Sequence, residues 1–112
     1  MRHTINMIVN PLDAVFQALA SVPRRQILAF LGQTALSTSD LAARFGMTPP
    51  AVSRHLSVLQ QAGLVSAERQ GQRVLYRLHR DALLNALARF ASELDGPLRR
   101  PPPLPRAPRE AI

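Results

Sequence analysis

At 112 residues the chain has room for one hydrophobic core and not for two ordinary domains. Its net charge of +7 rests on fourteen arginines with no lysine, a balance that favours a polyanionic partner and supplies planar forks suited to phosphate and guanine. Cysteine is absent, which excludes disulfides, thiolate metal sites, thiol redox sensing and cysteine nucleophiles.

The opening MRHTINMIVN shows no clear period and reads as a loose arm over residues 1–9. It lacks the hydrophobic segment and cleavage site of a signal peptide, and no apolar run reaches the roughly 18 residues of a membrane span, so a soluble cytoplasmic protein is expected. Order should begin at NPLDAVFQALAS, with Asn10 as N-cap, Pro11 at the first helical position, and Leu12, Val15, Phe16 and Leu19 on one face. SVPRRQILAFLG follows almost without a loop: Ser21 caps, Pro23 sits in the first turn, Ile27, Leu28 and Leu31 point inward, and Gly32 stops the helix. STSDLAARFG repeats the pattern on a smaller scale, with Ser37 as cap, Asp40 in the capping-box position and Gly46 as stop.

Thr48 and Pro49 then open a further helix in which Val52, Leu56, Leu59 and Gly63 recur at four-, three- and four-residue steps. Two helices of about nine and fourteen residues flanking a glycine-containing turn are the spacing of a helix-turn-helix. After Leu64 the period changes from helical to alternating, and LVSAERQGQRVLYRL reads as a hairpin turning at Gly71. Val74, Tyr76 and Leu78 share one strand face, which sends Arg73 and Arg77 to the solvent side. A last helix from about Arg80 to Leu94 carries Leu83, Leu84, Leu87, Phe90, Ala91 and Leu94, a band too broad for a helix covering a small domain once, and a second protein on its far side would explain it. Residues 96–112 hold six of the ten prolines and are expected to be disordered with polyproline character.

With Val52, Leu56 and Leu59 inward, helical geometry puts Pro50, Ala51, Arg54, Ser57 and Gln61 outward and His55 at the margin. The first turns of a helix lying in a major groove reach base edges. Small residues at Pro50 and Ala51 permit close approach, Arg54 can fork onto guanine, and the helix N-terminus at Thr48 can receive a phosphate. A basic hairpin directly after that helix is the winged form of the motif, with double-stranded DNA as the expected partner. The expected fold is mainly α with a small β-hairpin: a winged helix-turn-helix of five helices plus a two-stranded wing, over residues 10–95.

The blocks VFQALASVPRRQILAFL, DLAARFGMTPPAVSRHLSVLQQAGLV and ERQGQRVLYRL, in this order and spacing, resemble the ArsR family of bacterial winged helix-turn-helix repressors, and most closely its metal-independent autorepressor branch. The resemblance covers about Asn10 to Leu94. It implies a homodimeric repressor on an imperfect inverted repeat in promoter DNA. Thr48, Ser53, Arg54 and His55 match the family's reading helix, and Arg69, Gly71 and Arg73 its wing, beside which Arg77 shares the solvent face. Pairing through the first and last helices assigns Leu12, Val15, Phe16, Leu84, Leu87, Phe90, Ala91 and Leu94 to the dimer interface. Pro49 and Pro50 depart from the glutamine or serine of many relatives, and SVPRR replaces a commoner aspartate-proline-threonine-arginine-arginine.

Metal-sensing relatives use cysteines or paired histidines and carboxylates, whereas here only His79 has a near carboxylate, Asp81, which does not make a tetrahedral site. No metal and no cofactor is expected. Ser53 and His55 lie two apart on a helix and point in different directions, so they are not a nucleophile and base, and no catalytic site is expected. Arg99, Pro102 and Pro105 match the spacing of a proline-rich ligand, though a solvated basic tail that adds non-specific phosphate attraction is the better explanation. The competing function is therefore a winged protein-interaction module with a proline-rich docking tail. The chain carries only four Phe and one Tyr, too few for an RNA-binding surface of basic and aromatic residues. An inducing small molecule, if there is one, is not encoded in any pattern visible here.

Overall fold

A computed structural model describes residues 11–95, and the expected N-terminal arm, the Asn10 cap and the proline-rich tail lie outside the described residues. Helix α1 (Pro11–Leu19) is followed after two residues by α2 (Val22–Leu31), and then come strand β1 (Leu36–Ser37), α3 (Thr38–Phe45), α4 (Pro49–Gln61), β2 (Val65–Gln70), β3 (Arg73–Leu78) and α5 (Arg80–Asp95). The caps have the chemistry expected of them. Ser21 accepts from the Arg24 N–H, and Ser37 and Asp40 form a complete reciprocal capping box, satisfying two orphan helix donors. Gly46, at φ 66°, ends α3 in the left-handed conformation that a residue lacking Cβ adopts without strain.

Helices α3 and α4 pack together across the three-residue turn 46–48, and α4 also meets α1, α2 and β2. The core lies between them. Ile27, Leu41, Val52, Leu56, Leu59 and Leu64 are its largest fully buried side chains. Gly63 does not extend the buried face of α4 as the spacing suggested: the helix stops at Gln61, and Gly63, at φ 79°, turns the chain into β2.

The wing is larger than a hairpin. Strand β3 pairs with β2 from Val65↔Leu78 to Gln70↔Arg73, and on its other edge with β1 through Leu36↔Tyr76 and Ser37↔Leu75. The sheet is thus three-stranded in the order β1-β3-β2. Two residues are too few to show an alternating pattern, which is why β1 is invisible in the sequence; only its pairing with the distant β3 makes it a strand. Gly71 occupies the first position of the two-residue hairpin turn at φ 64°, where a side chain would be strained.

Candidate nucleic-acid interface

Helix α4 begins at Thr48, whose Oγ1 accepts the Ala51 N–H at 3.3 Å. Val52, Leu56 and Leu59 seat it on the core. On the far side Pro50, Ser53, Arg54, Ser57 and Gln61 are exposed, as the helical arc requires. The Arg54 side chain makes no hydrogen bond or ion pair with another described residue, so its guanidinium stands in solvent with its donors available.

Ala51 and His55 depart from the expected outward face. Both are half-buried, because residues one turn apart share a flank of the helix and this flank leans toward the body of the domain. His55 Nδ1 lies 3.4 Å from Arg24 Nη1. Burial, and then the charges of Arg24 and Arg54, hold the imidazole below its ordinary pKa.

Arg24 belongs to a set of arginines whose role the sequence did not announce. Its Nε donates to the Ala18 carbonyl at 2.8 Å and its Nη2 to that of Gln17 at 3.1 Å, while Arg25 Nη1 donates to the Leu19 carbonyl at 2.6 Å. Together they satisfy the orphan carbonyls at the end of α1. Arg80 does the same for α2 through Gly32, at 2.9 Å. A signal was present: two cations in the first turn of α2 oppose that helix's own dipole, so their partners had to be sought in a neighbouring element.

The four wing residues divide. Arg73 Nη2 contacts Asp40 Oδ2 at 2.7 Å and Ser37 Oγ at 3.3 Å, tying β3 to the capping box of α3. Hydrogen bonds from the Ser37 backbone and hydroxyl, aided by Arg73, outweigh desolvation and hold the Asp40 carboxyl below its ordinary pKa. Arg77 Nε is paired with Glu68 Oε1 at 2.9 Å. Both arginines lie on the solvent face, as strand alternation requires, and each is engaged there by a carboxylate. Only Arg69, on β2 beside the Gly71 turn, extends from the wing with no hydrogen bond or ion pair to another described residue.

The proposed dimer face also divides. Val15 is only 6% exposed within the single chain, so it belongs to the core and is corrected out of the interface: α1 turns it toward α4 and α5. Phe16 is half-buried and meets Phe90 edge to face, ring centres 5.4 Å apart. Leu12 is half-buried. Helix α5 buries none of its residues fully; Leu84, Leu87, Phe90 and Leu94 are 52%, 39%, 42% and 63% exposed, and Ala91 is exposed with them. Leu83 and Leu87 continue into an apolar groove against Leu19 and Leu28. His79 is exposed at the end of β3, its Nδ1 3.3 Å from the Gly63 carbonyl. Among the described residues no group of three or more His, Cys, Asp or Glu could hold a metal ion, and no helix is long and apolar enough to cross a membrane.

Comparison with known proteins follows the same lines. The sequence pattern of the family described as "Bacterial regulatory protein, arsR family" matches residues 21–67. Over 90 residues the chain is 32% identical to the transcriptional repressor SdpR of Bacillus subtilis (strain 168), covering 78% of this chain and 100% of SdpR. It is 36% identical over 85 residues to the HTH-type transcriptional regulator KmtR of Mycobacterium tuberculosis (strain ATCC 25618 / H37Rv), covering 74% of this chain and 65% of KmtR, just under two thirds of that regulator. Among solved structures, an ArsR-like transcriptional regulator from Rhodococcus sp. RHA1 superposes with a TM-score of 0.68 at 35% identity, over 76% of this chain and 83% of that one. A homodimeric winged helix-turn-helix DNA-binding domain from Mycobacterium bovis gives a TM-score of 0.64 at 34% identity, over 75% and 80%.

Proposed function

Since the chain belongs to the ArsR family of bacterial regulatory proteins, we propose that it is a DNA-binding transcriptional repressor, a homodimer that reads an inverted repeat in promoter DNA without a metal or thiol signal. The observation that carries this reading is the outward side of α4, where an unengaged Arg54 stands among the small polar residues Ser53 and Ser57 and the helix rises from a capped N-terminus. That surface suits a major groove: its small side chains allow close approach and its guanidinium can fork onto guanine. On the wing, Arg69 is the cation best placed to meet phosphate or a narrow minor groove. Two-fold pairing is supported by the exposed leucines and phenylalanine of α5 and by the homodimeric Mycobacterium bovis relative.

Sequencing the fragments that the protein retains from genomic DNA tests the reading, with the region upstream of its own gene as the first candidate. A two-fold symmetric site is expected. Affinity should fall steeply with salt, each neutralised phosphate contributing about −0.9 to the log-log slope. A flat salt response with no preference over random duplex would instead favour a protein-interaction module. Thiol oxidants should leave affinity unchanged because the chain has no cysteine, and stoichiometric zinc because among the described residues no group of three or more His, Asp or Glu could hold it; a reproducible tenfold shift, judged against about 1.4 kcal/mol, would refute that part.

A further inference from the structure

One contact in the interface serves neither the core nor the exposed reading face. The Arg24 guanidinium meets three acceptors from two elements: the Ala18 and Gln17 carbonyls at the end of α1, and His55 Nδ1 on α4. A guanidinium can only donate, so this contact requires the lone pair on Nδ1, and the proton of the neutral ring then sits on Nε2. His55 is turned away from the groove-facing arc by this contact, while its sequence neighbour Arg54 points outward.

We propose that Arg24 is a positioning residue for the reading helix, its guanidinium clamping the end of α1 to His55 and so setting the pose in which α4 presents Arg54 and Ser53 to DNA. The proposal rests on the reading of α4 as the DNA-facing helix. It assigns His55 a role different from base contact: the ring is the acceptor that seats the helix. Val52, Leu56 and Leu59 seat α4 on the core, and to that non-directional packing the guanidinium adds one directional contact, its planar fork being already held by the two α1 carbonyls. Because α1 also carries Phe16, packed on Phe90 of α5, the same guanidinium connects the reading helix to the elements of the proposed dimer. The charged groups acting on His55 are Arg24 from α2 and Arg54 on α4 itself, both cationic, while the end of α1 offers only carbonyls. A proton on Nδ1 would remove the acceptor and set a third cation against the other two, so the clamp requires the neutral ring.

The test uses the full chain, a duplex selected from genomic DNA by the wild type, and a random duplex of equal length. Without DNA, imidazole nitrogen NMR should show His55 neutral with the Nε2–H tautomer and titrating below the ordinary histidine value. Arg24→Lys, which keeps the charge but cannot bridge three acceptors, should weaken the preference for the Nε2–H tautomer, while burial and the retained charge keep the titration below the ordinary value. Arg24→Lys and His55→Phe should each lower affinity for the selected duplex about tenfold while changing random-duplex affinity less than about twofold. His55→Asn, whose Oδ1 can accept where Nδ1 does, should retain discrimination, and the Arg24–His55 double-mutant cycle should be non-additive. His55→Phe and His55→Asn leave the α1 carbonyls capped, so they keep the test valid should Arg24→Lys unfold. The proposal is overturned by an ordinary His55 titration, by undiminished discrimination in His55→Phe, or by a loss in His55→Asn equal to that in His55→Phe, which would make the ring a base reader. Wild-type protein with no duplex preference would instead defeat the DNA-binding reading itself, an outcome the His55 titration does not share.

Discussion

Arg54 and Arg69 are both unengaged by the described protein, yet the surfaces that carry them ask different things of a guanidinium. On a helix that fits a major groove, Arg54 can fork onto one base pair per half-site. Arg54→Ala is expected to cost about 1 to 3 kcal/mol on the selected duplex, less on random duplex, and to relax the preference at one symmetric base pair, as binding to a set of base-substituted duplexes would reveal. On the wing, attraction depends on charge and groove width more than on base identity. Arg69→Ala should therefore weaken both duplexes by similar factors and reduce the salt slope by about one unit. If Arg54→Ala folded normally and bound both duplexes as the parent does, α4 would be an ordinary surface helix. Buried Leu56 is the control: Leu56→Ala should destabilise the fold by about 2 to 5 kcal/mol, measured by denaturant titration, and lose binding only through unfolding.

At the scale of elements, the attachment of the wing to α3 is the feature with consequences. Ser37 lies in β1, caps α3, and together with Asp40 receives Arg73 from β3, so a few side chains join strand, helix and hairpin. Asp40→Asn would keep the hydrogen bonds in part and remove the charge. Since the folded-state pKa of Asp40 is depressed, its charge contributes stability present above its ordinary value and lost as pH falls through the depressed one. Thermal melts should then show the wild type above the variant at neutral pH, the gap closing as pH falls through and below the ordinary aspartate value. Identical melts across that range would show the ion pair to be inert, as many exposed pairs are. With the carboxylate gone, Arg73 becomes a second available cation on the wing. Asp40→Asn should accordingly bind random duplex more tightly and steepen the salt slope by up to about 0.9.

For the whole molecule the decisive surface is α5, which lies on the domain with none of its residues fully buried and with four large apolar side chains exposed along it. Phe90→Glu or Leu87→Glu should shift sedimentation toward monomer. Affinity for the inverted repeat should collapse to that of a half-site, because a two-fold site is matched by two-fold protein symmetry. Both side chains also pack within the chain, Phe90 on Phe16 and Leu87 beside Leu19 and Leu28, so a thermal melt of each variant must accompany the sedimentation to separate lost pairing from lost folding. A wild-type monomer at micromolar concentration that still bound the two-fold site tightly would contradict the dimeric reading.

The order of the helices, the caps at Ser21, Ser37 and Thr48, the buried stripe of α4 and the turn at Gly71 were legible in the sequence, because each depends on residues within one or two helical turns of one another. The blocks carrying the family resemblance were legible for the same reason. Partnership across the fold was not. That β1 is a strand, that Val15 faces inward, that Arg73 and Arg77 meet carboxylates, and that His55 turns to Arg24 are all set by which elements are brought together. Arg54 and His55 are adjacent in sequence and differ by about 100 degrees around the helix; periodicity could place His55 at the margin, but only the position of α2 decided that this margin is a contact and that the neighbouring arginine is left for another partner.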